Sequence, residues 1–306
     1  MNINEVAKML EKNQESQGKL SVLFVSKKGT KYQAYQPQVS NKVQQDVIKL
    51  FKEHLETIIA KDLKEREFNP SGQPNDEYSV CSYEYVGNFH EVTSLYKNTK
   101  EEEMRADQIN FLIFRLRINE DENPIKYLYL FRKNHKLKNI RKGFWIRKIS
   151  DTYDKLSDSD LIGIDGSIDA IAFEDELAFF SHISAERIFN LREKFAQNAR
   201  KVLNEIEDGG RIDNFDEFKE ECLNDVRITR RLTKMHSNPR IVKLFHEYFS
   251  NAQEVVELFD LNISFNEDNT KIVYSHKDEL KDITMLMRDA YYRTILADRK
   301  GIDDFN

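Results

Sequence analysis

Two apolar stretches decide the fold of this chain: INFLIFRLRI at residues 109–118 and IKYLYLFR at residues 125–132. Over most of their length both carry hydrophobic side chains at successive positions, so both faces of an extended chain are apolar. Strands of this kind lie inside a sheet that is covered on both sides. We therefore expect these two segments at the centre of a sheet.

Further β-prone segments surround this pair. A hairpin is predicted from residues 20–25 and 30–35, with its turn at Gly29. Ser40 or Asn41 can cap a helix that continues to about residue 64 and covers the sheet. The remaining strands are predicted at residues 78–86, 143–149, 161–164, 170–173 and 176–182, with a tight turn at Asp165-Gly166. The sheet is predicted to be largely antiparallel.

The periodicity of the apolar residues changes from two to about 3.6 after His182. Helices are predicted from residue 184 to Asp208-Gly209-Gly210 and then at about 214–235, 240–259 and 277–290, with a small hairpin around Asn266 to Thr270. The predicted fold is α+β: a mostly antiparallel sheet covered by helices, followed by a mainly helical part with a small β-hairpin. We place the domains at residues 1–183 and 184–306.

Composition limits the classes of protein to consider. The chain has 306 residues with 47 Lys and Arg and 53 Asp and Glu, a net charge of -6. Its longest unbroken apolar run, residues 127–131, is far shorter than the roughly 20 residues that cross a bilayer. The N-terminus shows no secretion signal, and Cys81 and Cys222 have no metal-ligand spacing around them. We expect a cytoplasmic protein.

Residues 123–150 form a first basic segment, with nine Lys and Arg and no Asp or Glu. Aromatic residues lie among the basic ones, including Trp145, the single Trp of the chain. Basic and stacking side chains together are typical of sites for flexible nucleic acid, although a hairpin with a solvated basic face would give the same pattern. The candidate phosphate contacts are Arg132, Lys133, Lys136, Lys138, Arg141 and Lys142, with Trp145 as a stacking platform.

A second basic segment has helical spacing. Arg227, Arg230, Arg231 and Lys234 gather on one face of a predicted helix, while Ile228, Leu232 and Met235 occupy a different face. No acidic residue occurs from Val226 to His246, and Arg240 and Lys243 extend the segment past Pro239. Such a cluster can hold phosphates by charge without reading base sequence, or it can be an ordinary solvated helix.

Catalytic motifs are weak in this sequence. His246-Glu247-Tyr248-Phe249-Ser250 lacks the second His of a zinc-protease helix, and no phosphate-binding loop of the Gly-x-x-x-x-Gly-Lys type occurs. A Mg²⁺-dependent nuclease remains as an alternative, with Asp169, Glu174 and Asp175 beside strands and Glu279 in a Glu-x-Lys tripeptide. We expect no cofactor, no resident metal and no catalytic residues.

The C-terminal half resembles a known family. The resemblance is carried by Asp169 to Phe173, Glu176 to Phe180, Glu186 to Asn190 and Phe195 to Ile206, and later by Arg231 to His236, the Asn262 to Tyr274 hairpin, Asp282 to Met287 and Tyr291. These segments resemble the KwaB-like proteins of the Kiwa anti-phage defence system over roughly residues 105–300. The chain departs from the family pattern near its end, where residues 295–301 read ILADRKG.

This resemblance implies a cytosolic defence protein that self-associates as a homodimer or higher homo-oligomer. It also implies docking on a KwaA-like membrane protein, which would recruit the chain to the inner face of the membrane, and DNA binding that hinders phage replication or transcription. The net charge of -6 confines any DNA-binding surface to a groove or to one built across a dimer. Two alternatives stay open: a nuclease effector, and an assembly protein whose basic faces meet acidic protein or anionic lipid.

Overall fold

The computed structural model describes residues 1–15, 19–70, 72–100, 104–118, 125–134 and 162–303, together with the course of two strands at 145–149 and 152–156. Proximity of Cα atoms divides the chain into two units. The first comprises Met1–Phe68 and Pro74–Asn190, and the second comprises Asn69–Gln73 and Leu191–Asn306. The boundary that we placed between residues 183 and 184 falls within the helix His182–Ile188 of the first unit.

The first unit combines helices with one large sheet. Its elements are α1 (Ile3–Glu15), β1 (Leu20–Lys28), β2 (Lys31–Tyr35), α2 (Asn41–Ala60), β3 (Lys64–Glu67), β4 (Glu77–Ser82), α3 (Phe89–Ser94), β5 (Phe111–Arg117), β6 (Tyr127–Lys133), β7 (Trp145–Ile149), β8 (Thr152–Leu156), β9 (Ala170–Phe173), β10 (Glu176–Phe179) and α4 (His182–Ile188). β7 and β8 pair with each other, and the other eight strands form the sheet in the order β2-β1-β5-β6-β9-β10-β4-β3.

Within this sheet every neighbouring pair is antiparallel except β3 and β4 at one edge. β5 and β6 are interior strands, as the sequence predicts, because their side chains are buried on both faces. On one face Phe114 meets Phe51 of α2, with ring centroids 4.8 Å apart. On the other face Phe131 meets Phe189 at 4.9 Å. Helix α2 begins where expected, since the Ser40 hydroxyl accepts a hydrogen bond from the Val43 N–H.

The second unit is mainly helical. Its elements are α5 (Leu191–Asp208), β11 (Ile212–Asp213), α6 (Phe215–Asn224), α7 (Val226–His236), α8 (Arg240–Glu247), α9 (Ala252–Phe259), β12 (Ser264–Phe265), β13 (Ile272–Val273), α10 (Leu280–Met287), β14 (Tyr291–Arg293) and β15 (Lys300–Ile302). The predicted small hairpin is β12–β13. Its turn is held by the Asn266 side-chain oxygen, which accepts from the N–H groups of Thr270 and Lys271 at 2.9 and 3.0 Å. The α+β fold is thereby confirmed.

Several local predictions differ from the structure. The strand expected at 78–86 ends at Ser82 and is followed by a 3₁₀ helix at Tyr83–Val86. The helix expected at 214–235 is two helices, because Asp225 is extended and its carboxylate caps α7. The helix expected at 240–259 is interrupted by a 3₁₀ turn at Phe249–Asn251. Residues 162–164, expected in a strand, belong to an irregular segment that leads to β9. Among the described residues, no helix is long and apolar enough to cross a membrane.

Candidate nucleic-acid interface

The second basic segment begins at the N-terminus of α7. The Asp225 carboxylate accepts hydrogen bonds from the N–H groups of Arg227 and Ile228, at 2.8 and 3.2 Å, and so fixes where the helix starts. Ile228, Leu232 and Met235 are buried, as the sequence predicts for the apolar face. The helix packs on α5, and the Thr233 hydroxyl lies 3.0 Å from the Phe195 carbonyl oxygen. The orientation of α7 within its unit is therefore defined by buried side chains.

The basic residues of α7 differ in exposure. Arg227 is exposed, whereas Arg230, Arg231 and Lys234 are half-buried and engaged in contacts. The four residues are therefore not one uniformly solvated stripe, because only part of the helix circumference faces water. Arg227 is the residue of this set with the most open access to a phosphate.

Helix α8 adds two exposed cations. Arg240 lies in its first turn and Lys243 follows one turn later, and both are exposed. Within the described part of the chain, no ion pair is formed by Arg227, Arg240 or Lys243. We call these three residues the α7–α8 cation set. Their side chains are available to an anion because they are exposed and no described carboxylate forms an ion pair with them.

The first basic segment is divided by the pleat of β6. Successive side chains of a strand point to opposite faces, so Arg132 shares a face with Leu128 and Leu130, while Lys133 shares the opposite face with Tyr127 and Tyr129. Arg132 is 1% exposed. Its Nη2 lies 2.7 Å from the Asp165 carboxylate, and its Nη1 donates to the Gly163 carbonyl oxygen at 3.3 Å. Burial lowers the pKa of Arg132, and the Asp165 and Asp169 carboxylates oppose that shift.

The structure therefore removes Arg132 from the predicted set of phosphate contacts, because a buried and paired guanidinium cannot reach a polymer in solvent. Lys133 is half-buried, and its backbone N–H donates to the Asp169 carboxylate at 2.5 Å. Trp145 is the first residue of β7, opposite Leu156 of β8. The other predicted contacts lie outside the described residues: Lys136, Lys138, Arg141 and Lys142.

One mixed cationic and aromatic group was not identified from the sequence. The Arg115 guanidinium lies 3.9 Å from the ring centroid of Tyr96 and 4.7 Å from that of Tyr127. Tyr129 is the cross-strand partner of Arg115, and both are half-buried. Burial raises the pKa of Tyr129, so it remains a neutral phenol at physiological pH. The alternation of β5 would have placed Arg115 on this face, but Tyr96 reaches it from another part of the chain.

Three of the four carboxylates considered for a nuclease hold hydrogen bonds or an ion pair within the fold. Buried Asp169 accepts from the Lys133 N–H, Glu174 pairs with Lys126 at 2.7 Å, and buried Glu279 accepts from the Ser275 N–H at 3.0 Å. Asp175 is exposed in the turn between β9 and β10. Across the residues that the structure describes, no three His, Cys, Asp or Glu side chains are grouped to hold a metal ion. Asp169, Glu174 and Glu279 therefore have partners that stabilise the local fold.

Comparison with known proteins identifies a family. No curated protein and no solved structure matches this chain. The model of one family, described as Kiwa protein KwaB-like, matches residues 106–297, which is more than half of the chain. The match begins before β5 and ends within the loop between β14 and β15, so it includes most of the central strands and almost the whole second unit. The chain therefore belongs to the KwaB-like family of the Kiwa anti-phage defence system.

Proposed function

We propose that this protein acts in anti-phage defence by binding the phosphate backbone of DNA through the α7–α8 cation set. The observation that supports this proposal is the local charge: residues 226–246 contain six Lys and Arg and no acidic residue, and Arg227, Arg240 and Lys243 are exposed without an acidic partner in the described part of the chain. Exposed cations on a folded surface bind DNA by releasing its condensed counterions.

The proposed surface is confined. The chain as a whole carries a net charge of -6, so binding to a polyanion depends on where the cations are concentrated. Contacts to phosphates fix position and orientation but carry no sequence information. We therefore propose binding with little sequence preference, which suits a protein that acts on DNA of varied origin.

We further propose that the protein works together with a KwaA-like membrane protein, that it self-associates, and that its action blocks phage replication or transcription without cutting DNA. Membership of the KwaB-like family supports the link to defence. An assembly of several copies would multiply a modest local charge, because linked sites bind a polymer with a high effective concentration.

The test is DNA binding by the full chain across a salt series. The variant is Arg227→Ala/Arg240→Ala/Lys243→Ala, and its matched control is Lys8→Ala/Lys12→Ala/Lys42→Ala, which removes the same charge from exposed lysines of the first unit. Plots of log K against log salt have a negative slope, and each lost phosphate contact makes it shallower by about 0.9 for duplex DNA. We therefore expect the slope of the variant to become shallower by up to about 2.7 and that of the control to change little.

Other outcomes select the alternatives. Equal loss of slope in the variant and the control would mean that binding follows net charge, and the α7–α8 cation set would then have no special part in it. Absence of binding by the unmodified protein near physiological salt would overturn DNA as the ligand and favour an assembly protein. Shortening of labelled DNA with Mg²⁺ or Mn²⁺ present would favour the nuclease.

A further inference from the structure

The hairpin formed by β14 and β15 presents two aliphatic side chains entirely to solvent. Ile295 is 104% and Leu296 99% exposed, more than any other large hydrophobic residue in the described part of the chain. Isolated exposed apolar residues are ordinary on protein surfaces, but two adjacent, fully exposed branched side chains at one tip leave a large apolar area in water. Burial against another surface would remove that area from water.

The tip is held in a defined conformation. The Thr294 N–H donates to the Arg299 carbonyl oxygen at 2.9 Å, and the Arg299 N–H donates to the Thr294 hydroxyl at 2.9 Å. Arg293 and Asp298 form an ion pair across the same turn. A loop of this kind displays Ile295 and Leu296 with little conformational entropy left to lose, which favours their use in binding.

The same unit contains an open apolar groove. It lies between α8, the 3₁₀ turn at Phe249–Asn251, α9 and the end of α10, and it has a volume of about 360 Å³. A cavity of about 150 Å³ already accepts a benzene ring, so this groove has room for two branched aliphatic side chains. The side chains that line it are mainly apolar and include Phe245, Tyr248, Phe249, Val255 and Met287.

We infer that the Ile295-Leu296 tip of one copy inserts into the groove of a second copy. The apolar character of the tip matches that of the groove, and the charges beside them are opposite: exposed Arg299 follows the tip, and Asp289 borders the groove. This inference deepens the proposed self-association, on which it rests, and gives it a surface; it does not require DNA binding.

The order of the segments along the chain allows both copies to insert their tips at the same time. Met287 and Asp289 border the groove, and the first strand of the hairpin begins at Tyr291. Each copy therefore carries its tip and its groove on neighbouring segments of one unit. A two-fold axis beside these segments lets each tip enter the other copy's groove, which closes the assembly as a dimer instead of extending it as a filament.

The test measures the mass of the full chain in solution by sedimentation velocity over a range of concentrations. Leu296→Asp places a charge on the tip, and Val255→Asp places one in the groove. Ile183→Asp is the matched control, because Ile183 is a 58% exposed branched side chain on α4 of the first unit. We expect the tip and groove variants each to weaken dimerisation by roughly tenfold or more, and the control to leave it unchanged.

An equimolar mixture of Leu296→Asp and Val255→Asp gives the sharpest result. One intact tip then faces one intact groove in each mixed dimer, so the mixture should associate more strongly than either variant alone. Unchanged dimerisation in both variants would overturn the inference, and so would a mixture no better than its components.

Two further experiments test for another partner of the tip and keep this inference separate from DNA binding. Flotation with anionic phosphatidylserine vesicles that is lost in Leu296→Asp, with dimerisation unchanged, would assign the tip to lipid and overturn the inference. The Arg227→Ala/Arg240→Ala/Lys243→Ala variant should still form dimers whether or not it binds DNA. If the protein does not bind DNA, the dimerisation result still stands. If it does not form dimers in this way, the DNA-binding result still stands.

Discussion

Arg132 Nη2 lies 2.7 Å from Asp165 Oδ2, with the arginine side chain 2% exposed and the aspartate side chain 63% exposed. This ion pair joins the centre of the sheet to the irregular segment that leads into β9. Its two members contribute unequally, because the guanidinium has been removed from water and the carboxylate has not. Loss of the carboxylate leaves a buried cation that, among the residues the structure describes, only the Gly163 carbonyl oxygen and nearby Asp169 compensate.

Asp165→Ala should lower the free energy of unfolding by about 1–3 kcal/mol, because it leaves the buried guanidinium without its closest anion. Arg132→Met/Asp165→Ala should be more stable than the sum of the two single substitutions predicts, since the double variant has no buried guanidinium at position 132 to leave unpaired. Urea denaturation of the four proteins checks this. Strict additivity of the two substitutions would show that the pair contributes no coupling.

Arg132→Met should leave the salt dependence of DNA binding unchanged, because the guanidinium is buried and paired. Arg227→Ala should make the negative slope of log K against log salt shallower by about 0.9 if Arg227 contacts one phosphate of duplex DNA. Fluorescence anisotropy with a short duplex, at several salt concentrations, compares the two variants directly. A shallower slope in Arg132→Met, with the fold intact, would mean that this side chain contacts the DNA.

The stability of the first unit should decrease as the pH falls below about 6.5, in part because of His54. Burial in α2 lowers the pKa of His54, and the Asp165 and Asp169 carboxylates oppose that shift. The unfolded chain therefore takes up a proton at a higher pH than the folded chain does. The His54 contribution is complete above the unfolded pKa and is lost as the pH falls through the folded pKa.

His54→Gln should accordingly lose less stability than the unmodified protein between about pH 7.5 and about pH 5. Chemical denaturation at both pH values measures the difference. His90→Gln is the control, since His90 is an exposed histidine of the same unit. Identical losses in the unmodified protein and His54→Gln would contradict a lowered pKa at His54.

Asp169→Ala should destabilise the fold by about 1–3 kcal/mol, because the N–H of half-buried Lys133 loses its acceptor. Asp175→Ala, in the exposed turn that follows β9, should change stability by less than about 0.5 kcal/mol. Thermal denaturation of both variants, together with a cleavage assay in Mg²⁺, separates two roles for Asp169. Loss of a divalent-dependent cleavage activity in a normally stable Asp169→Ala protein would assign Asp169 to catalysis.

The pattern of residue types along short segments was sufficient to predict much of the fold. β5 and β6 could be identified because hydrophobic side chains at successive positions stabilise a strand only when both of its faces are covered. Ser40 and the Asn266 turn could be located because a cap or a turn is made by residues close in sequence. The break at Asp225 also has a local signal, an N-cap residue before an apolar period, which the continuous helical pattern across residues 214–235 obscured.

The candidate site was less predictable, because exposure depends on residues that are distant in sequence. Periodicity separated the apolar face of α7 from its basic residues, but the packing of α7 within its unit decides that Arg227 is exposed and that Arg230 and Arg231 are half-buried. The contact between Arg115 and Tyr96 could not be predicted for the same reason, since Tyr96 belongs to a separate segment of the chain.

The sequence by itself determined the fold class, the centre of the sheet, the KwaB-like family and the two acid-free basic segments, because each depends on composition or on the order of residues along the chain. Only the tertiary structure decided which cations remain available. It buried Arg132 beside Asp165, left Arg227, Arg240 and Lys243 exposed, and displayed Ile295 and Leu296 at a hairpin tip. The physical reason is that the availability of a charge or an apolar side chain is set by what packs around it, and that neighbour is seldom adjacent in sequence.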